Sequence, residues 1–224
     1  MNGTEASAPP SNTVLVLAGG DPVDERLLGS LPPAATVIAA DSGLEQAARL
    51  GLAVDLVIGD FDSVDAAVLA AAKDAGTAIE PYPVDKDYTD LELAVRAASS
   101  RGAHRVVVVG GWGGRIDHAL ANLLLLGSAE YASLHLEAIG PGGRLIAIHD
   151  RAELAGAPGD LVTLLAVGQP ARGVRTVGLK YPLRGETLEP GSTRGVSNEL
   201  MTATATVEIE NGTLLAVLPI AEVV

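Results

Sequence analysis

Ten residues constrain this chain more than any others: Val54-Asp55-Leu56-Val57-Ile58-Gly59-Asp60-Phe61-Asp62-Ser63. The apolar, β-branched run reads as a buried strand, and it breaks at a glycine followed at once by two carboxylates two residues apart. In extended backbone the side chains at i and i+2 share a face, so Asp60 and Asp62 converge. Two ionised carboxylates held together need positive charge between them. Hard carboxylate oxygens at the end of a buried strand suit magnesium, which binds through one or two carboxylates plus substrate phosphates. The competing reading of the same residues is an acidic turn with no ligand.

The rest of the first half repeats this strand-then-loop grammar. Thr13 to Ala18 is an apolar run closed by Gly19-Gly20, and Asp24 to Leu31 reads as a short helix stopped by Pro32-Pro33. Thr36 to Ala40 is a second strand, ending in Asp41-Ser42-Gly43 before a helix over Leu44 to Leu50. After the Asp60–Asp62 strand come a helix over Ala66 to Ala75 and an edge-like strand over Ala78 to Pro83, whose prolines disfavour a central place. Thr89 with Glu92 three residues on forms a capping-box pattern for a helix to Ser99, with Asp90 in its first turn. Arg105 to Val109 is the most strongly β run. A glycine loop, Gly110-Gly111-Trp112-Gly113-Gly114-Arg115, separates it from a helix over Ile116 to Leu126. Strands over Leu134 to Ile139 and Arg144 to His149 flank a Pro141-Gly142-Gly143 turn. Alternation at this spacing predicts an open, mostly parallel sheet with helices on both sides.

Beyond Asp150 the helical periodicity disappears. Short strands over Leu161 to Val167, Gly173 to Leu179, Ala203 to Glu210 and Thr213 to Leu218 follow, the last two joined by Asn211-Gly212, a strong hairpin signal. The expected organisation is therefore a tail over 1–11, taken as disordered, an α/β domain over 12–150, and a smaller antiparallel β-sandwich over 151–224. A sandwich of that size is marginal alone and leans on a neighbour.

Composition removes several classes of function. A net charge of −13 argues against nucleic acid or an anionic membrane surface as partner. The absence of cysteine excludes disulfides and thiolate chemistry and is compatible with a reducing cytoplasm, the expected location. The N-terminal residues have no signal-peptide pattern, and no apolar run is long enough to span a membrane.

Asp41, Asp60 with Asp62, the Asp85 to Asp90 segment, and Arg115 with Asp117 all fall just beyond strands. Ligands of open α/β sheets bind in that place, so four segments can meet in one crevice. Each has a blander role available: Asp41 as a helix cap, Asp90 and Asp117 as first-turn acids facing the helix dipole, His118 as a structural hydrogen-bonder. The glycine loop fits neither the P-loop nor the dinucleotide fingerprint. Carboxylates, a metal, and the cations Lys86 and Arg115 together are equipment for phosphoryl transfer.

In order and spacing, Asp41-Ser42-Gly43, Asp55 with Gly59-Asp60-Phe61-Asp62-Ser63, Lys86-Asp87-Tyr88-Thr89-Asp90, and Gly113-Gly114-Arg115-Ile116-Asp117-His118 with Asn122 closely resemble the thiamine pyrophosphokinase family. Gly178 to Leu183 and Gly195-Val196-Ser197-Asn198-Glu199 are similar to that family's thiamine-binding β-domain. The resemblance implies transfer of a pyrophosphoryl group from ATP to the hydroxyl of thiamine with release of AMP, by a homodimer whose thiamine sites lie between subunits. It implies that Asp60, Asp62 and Asp90 hold Mg2+. Asp41, Lys86, Thr89, Arg115, Asp117 and Asn122 would serve the nucleotide and phosphates, and Ser197 and Asn198 would meet thiamine. Asp60, Asp62, Asp90, Arg115 and Asp117 are the implied catalytic set. Trp112 departs from the small residue expected of many relatives, and its bulk is expected to reshape the lip of the nucleotide site. Two other readings are a pyrophosphokinase acting on another alcohol, such as a pterin carbinol, and a non-catalytic thiamine or nucleotide binder.

Overall fold

The computed structural model describes residues 12–219; the expected tail over 1–11 lies outside them. Its parallel core starts with β1 (Thr13–Leu17), β2 (Thr36–Ala40), β3 (Leu56–Gly59) and β4 (Ala78–Pro81), laid side by side in that order. β5 (Arg105–Val109) then returns to the other flank of β1, and β6 (His135–Gly140) extends beyond it. The proline-bearing β4 is the edge, as its sequence requires. Right-handed crossovers force the helices onto opposite faces when the direction of travel reverses. Accordingly α1 (Gly43–Arg49) and α2 (Ala66–Asp74) cover one face, while α3 (Asp90–Ser100) and α4 (Ile116–Leu126) cover the other. Strands with helices on both sides have no polar face: Val14 and Val16 of β1 pack toward α3, Leu15 and Leu17 toward α1, and all five residues are buried.

Local chemistry fixes the helix starts. Thr89 Oγ1 accepts from Glu92 N at 3.2 Å and starts α3, which buries Leu91, Ala94, Val95 and Ala98 at helical spacing. Glu92 does not complete the capping box; its carboxylate accepts from Arg96 instead. The segment read as a short helix near Asp24 to Leu31 is a 3-10 turn over Glu25–Ser30, capped by Asp24.

β7 (Gly143–Ile148) pairs antiparallel with β6 through a turn with Pro141 and then Gly142 at φ 89°, the combination a type II turn asks for. From here the sheet continues across residue 150. β14 (Leu214–Pro219) pairs with β7, β9 (Leu161–Ala166) with β14, and the short β12 (Asn198–Glu199) with β9, giving ten strands. A second sheet of β8 (Arg151–Ala155), β10 (Ala171–Val177), β11 (Arg184–Leu188) and β13 (Thr204–Glu208), in the order β11-β10-β13-β8, packs on β7, β14 and β9. Glu137 of β6 faces Ile146 of β7 in register, so this second sheet lies on the same face as α1. The sandwich thus borrows one layer from the ten-stranded sheet.

Two expectations fail here. Asn211-Gly212 does not close a hairpin: β13 pairs with β8 and β10, whereas β14 pairs with β7 and β9, so the turn carries the chain from one layer to the other. β8 and β11 are strands that periodicity did not mark, because β8 alternates Arg151, Glu153 and Ala155 outward with only Ala152 and Leu154 inward, and β11 is mostly polar. On the α3/α4 face, Leu145, Leu215 and Val217 form an apolar groove with Leu120, Leu123 and Leu124 of α4. No helix among the described residues is long and apolar enough to cross a membrane.

Candidate active site

The reversal of strand order between β1 and β5 opens a crevice of about 740 Å³ at the C-terminal ends of the parallel strands. Asp41, Asp60, Asp62, Lys86, Thr89, Asp90, Arg115 and Asn122 all border it, as does His118. Carboxylate oxygens of Asp41, Asp60 and Asp62 lie within 4.8 Å of one another. Asp90 is not in that triplet; Lys86 joins it to Asp60, its Nζ lying 2.5 Å from Asp60 Oδ2 and 3.1 Å from Asp90 Oδ1. Asp41 does not cap α1, whose N-cap is Ser42. Its Oδ2 accepts from the Ser63 hydroxyl, and its Oδ1 is buried without a partner.

The electrostatics follow from this packing. The hydrogen bond from Lys86 holds the Asp60 carboxyl below the usual carboxylate range. The charge on Asp60 pushes Asp62 up, with burial and Asp41 adding to it. Burial raises Asp90 despite Lys86. For Lys86, burial pulls the ammonium down, but the bonds to Asp60 and Asp90 outweigh it and the net shift is upward. An orphaned buried oxygen, a converging triplet and a carboxylate destabilised by its neighbour are together the donor set of a hard divalent cation. The residues fit such a cation.

Backbone strain marks the same places. Among the described residues, the non-glycine residues at positive φ are Asp41 (46°), Phe61 (61°) and Ser197 (58°). Asp tolerates this region, but for Phe it is a costly conformation held only by its surroundings. Phe61 turns the chain between Asp60 and Asp62, its ring packing against the α1/α2 core.

Other predicted residues have different surroundings. Arg115 and Asp117 pair with each other at 2.6 Å, both largely exposed, and the arginine's hydrogen bond holds Asp117 at about 2. Arg115 borders the crevice, and Asp117 does not. Asn122 Nδ2 donates to Gly111 O at 2.6 Å, pinning the glycine loop. Trp112 departs from expectation: its side chain does not border the crevice but turns toward Gly140 and Pro141, because its indole N–H finds the Pro141 carbonyl at 2.7 Å. Sequence reasoning missed Asp21, which follows Gly19-Gly20 at the end of β1, borders the crevice, and abuts Gly113. It obeys the same strand-exit rule that found the others. The buried Gln46 beneath it carried no such signal.

Ser197 and Asn198 lie elsewhere. Asn198 is buried, and its amide is engaged with main chain: Oδ1 accepts from Tyr181 N and Glu199 N, and Nδ2 donates to Tyr181 O. Beside it Tyr181, Val196 and Ser197 form an exposed lip. Between β12 and β3 there are eight strand steps, about 38 Å along the sheet at about 4.8 Å per step.

A crevice of carboxylates, one lysine and one arginine at the switch point of an open α/β sheet, joined to a β-sandwich, defines a metal-assisted phosphotransferase of two-part architecture. The family model for the catalytic domain of thiamin pyrophosphokinase matches residues 30–137, and that for its vitamin B1 binding domain matches residues 147–214. The chain belongs to the thiamine pyrophosphokinase family, whose reaction is ATP-dependent pyrophosphoryl transfer to thiamine. The thiamine pyrophosphokinase of Bacillus subtilis is 26% identical, covering 92% of this chain and 97% of its own. Crystal structures of the enzymes from Bacillus subtilis and Geobacillus thermodenitrificans superpose with TM-scores of 0.81 and 0.80 at 23% and 24% identity. They cover 92% and 94% of this chain and 98% and 99% of theirs.

Proposed function

We propose that the crevice holds ATP with magnesium, and that residues 12–150 supply the phosphate chemistry while residues 151–224 supply the thiamine slot. The single observation that carries this reading is the convergence of Asp41, Asp60 and Asp62 with an orphaned Asp41 oxygen, beside the Lys86 bridge to Asp90. Asp41, Asp60 and Asp62 would hold the ion, with Asp90 reaching it through a shift of Lys86. When bound, the ion neutralises phosphate charge and polarises the transferred group. Lys86 and Arg115 neutralise the remaining phosphate charge. An exposed ion pair is weak, so Arg115 can leave Asp117 for a phosphate at small cost. The thiamine hydroxyl oxygen attacks the β-phosphorus, the bond from that phosphorus to the α-phosphate oxygen breaks, and AMP departs. A loose transition state asks chiefly for alignment, and only weak base assistance with the hydroxyl proton.

We also read the working unit as a homodimer in the cytoplasm. Thiamine is far smaller than the roughly 38 Å of sheet between β12 and β3. That separation supports the reading that the Ser197 lip of one copy serves the crevice of another. The exposed Ile116, Leu120 and Leu124 of α4, at 76%, 55% and 60%, offer apolar surface beside that crevice for such packing. Tyr181 at the lip suits a heteroaromatic cation. The test is magnesium-dependent AMP release with thiamine and a panel of other alcohols, alongside sedimentation. Release with a pterin carbinol but not thiamine, ATP binding without turnover, or a fully active monomer would each defeat part of this reading.

A further inference from the structure

Trp112, the only tryptophan of the chain, stands in the middle of the glycine loop. Its neighbours Gly110, Gly111, Gly113 and Gly114 all adopt positive φ, at 87°, 92°, 99° and 63°. Such a backbone has little of its own to hold it, since glycine surrenders more conformational freedom on ordering than any other residue. The loop is tied on two sides. Toward the crevice the ties are the Asn122 amide on Gly111 O and two main-chain bonds: Gly111 N donates to Gly19 O at 2.8 Å, and Asp21 N donates to the Trp112 carbonyl at 3.0 Å. On the far side Gly110 N donates to Ile139 O of β6 at 2.9 Å, and beyond that bond the tie is the indole. Its N–H donates to Pro141 O at 2.7 Å, and its ring lies against Gly140, where a Cβ would come within 2.6 Å of Cζ2. Gly140 and Pro141 belong to β6 and its turn, a stiff part of the central sheet.

We propose that Trp112 is a positioning residue that anchors the glycine loop to the β6–β7 turn and thereby sets the affinity for the phosphate donor. It does so without bordering the crevice. The carbonyl of the same residue holds Asp21, so the indole, alongside the Asn122 pin on Gly111, bears on both glycine segments lining the crevice, Gly19–Asp21 and Gly111–Gly114. A loop freed from it must be ordered again by each incoming nucleotide, which weakens nucleotide binding and leaves the acceptor untouched. This inference rests on the reading that the crevice takes ATP.

The test compares Trp112→Phe, Trp112→Ala and Gly140→Ala with the unaltered chain, using steady-state kinetics in both substrates and calorimetric ATP binding. Trp112→Phe keeps the ring and loses the N–H, so the KM for ATP should rise about 3–10-fold, the effect of one hydrogen bond. Trp112→Ala should raise it further. The KM for thiamine, and kcat at saturating ATP, should stay within about twofold. Gly140→Ala displaces the indole from outside the loop and should raise the KM for ATP too. Combined with Trp112→Ala it should add nothing, because both changes remove one contact. If Trp112→Ala does not fold, the Trp112→Phe and Gly140→Ala pair carries the test. Unchanged ATP affinity in these variants, an equal rise in the thiamine KM, or full additivity would overturn the role of Trp112 alone. An unaltered chain that binds no ATP would overturn the reading of the crevice, and this inference with it.

Discussion

Replacing Lys86 with methionine isolates the electrostatics of the site, because the stem is kept and the charge removed. Among the described residues Lys86 is the one cation seen between Asp60 and Asp90, and its side chain is 11% exposed. The two carboxylate oxygens it bridges can be no farther apart than its two contacts laid end to end, about 5.6 Å. At an effective dielectric of 20 two unit charges at that distance repel by about 3 kcal/mol, and in bulk water by under ~1 kcal/mol. A crevice wall lies between those limits; the repulsion is common to both proteins, but Lys86→Met removes the attraction that offsets it, and left uncompensated it should cost the variant about 1–3 kcal/mol at pH 7 in the absence of metal. For a chain of this length that lowers Tm by about 2–4 °C per kcal/mol. The pH dependence has a definite sign. Lys86 holds Asp60 below its ordinary range, so the stabilisation is present above the unfolded carboxyl value, near about 4, and is lost as pH falls through the lower folded one. Burial already raises Asp90, and removing Lys86 raises it further, so its charge is a cost that protonation at low pH relieves. The stability gap between the two proteins should therefore be widest near neutrality and close below about pH 4. Magnesium should stabilise the variant more than the unaltered chain, since it supplies the missing charge. Urea unfolding at pH 7 and at about pH 2, below the folded range of Asp60, with and without magnesium, measures all three. Equal stability at pH 7, or a gap that persists at low pH, refutes the assignment of Lys86 as the charge holding these carboxylates together.

Other outcomes follow from the same geometry. Asp62→Asn keeps shape and loses charge, so turnover should fall by orders of magnitude while the metal-free fold is unharmed or slightly stabilised, Asp62 being strained by the charge of Asp60; near-normal activity would remove Asp62 from the metal site. Arg115→Lys retains charge but not the planar fork and should lower kcat about tenfold, with a full kcat marking Arg115 as a surface charge paired only with Asp117. Ser197→Ala should weaken thiamine binding by about 0.5–1.5 kcal/mol and leave ATP affinity alone; a loss on the ATP side instead would place the Ser197 lip at the wrong substrate.

Much of the catalytic half was legible because its information is local. Strands buried on both faces must be continuous apolar runs, so β1, β2, β3 and β5 announced themselves, and the carboxylates at their ends inherited a position from the parallel topology. The cap at Thr89 and the turn at Pro141-Gly142 were equally readable, since each is settled by a few neighbouring residues. Tertiary structure decided what depends on distant partners. Asn211-Gly212 has the local chemistry of a hairpin, yet β14 is claimed by β7 and β9, which offer two apolar edges where β13 could offer one. Periodicity says that Trp112 follows a strand; only the carbonyl of Pro141 and the bare Cα of Gly140 tell its ring to turn from the crevice. The same holds for the acids: the sequence delivered Asp41, Asp60, Asp62 and Asp90 to one end of the sheet, but which three converge and which one lies across Lys86 was set by side-chain packing over distances that no spacing rule encodes.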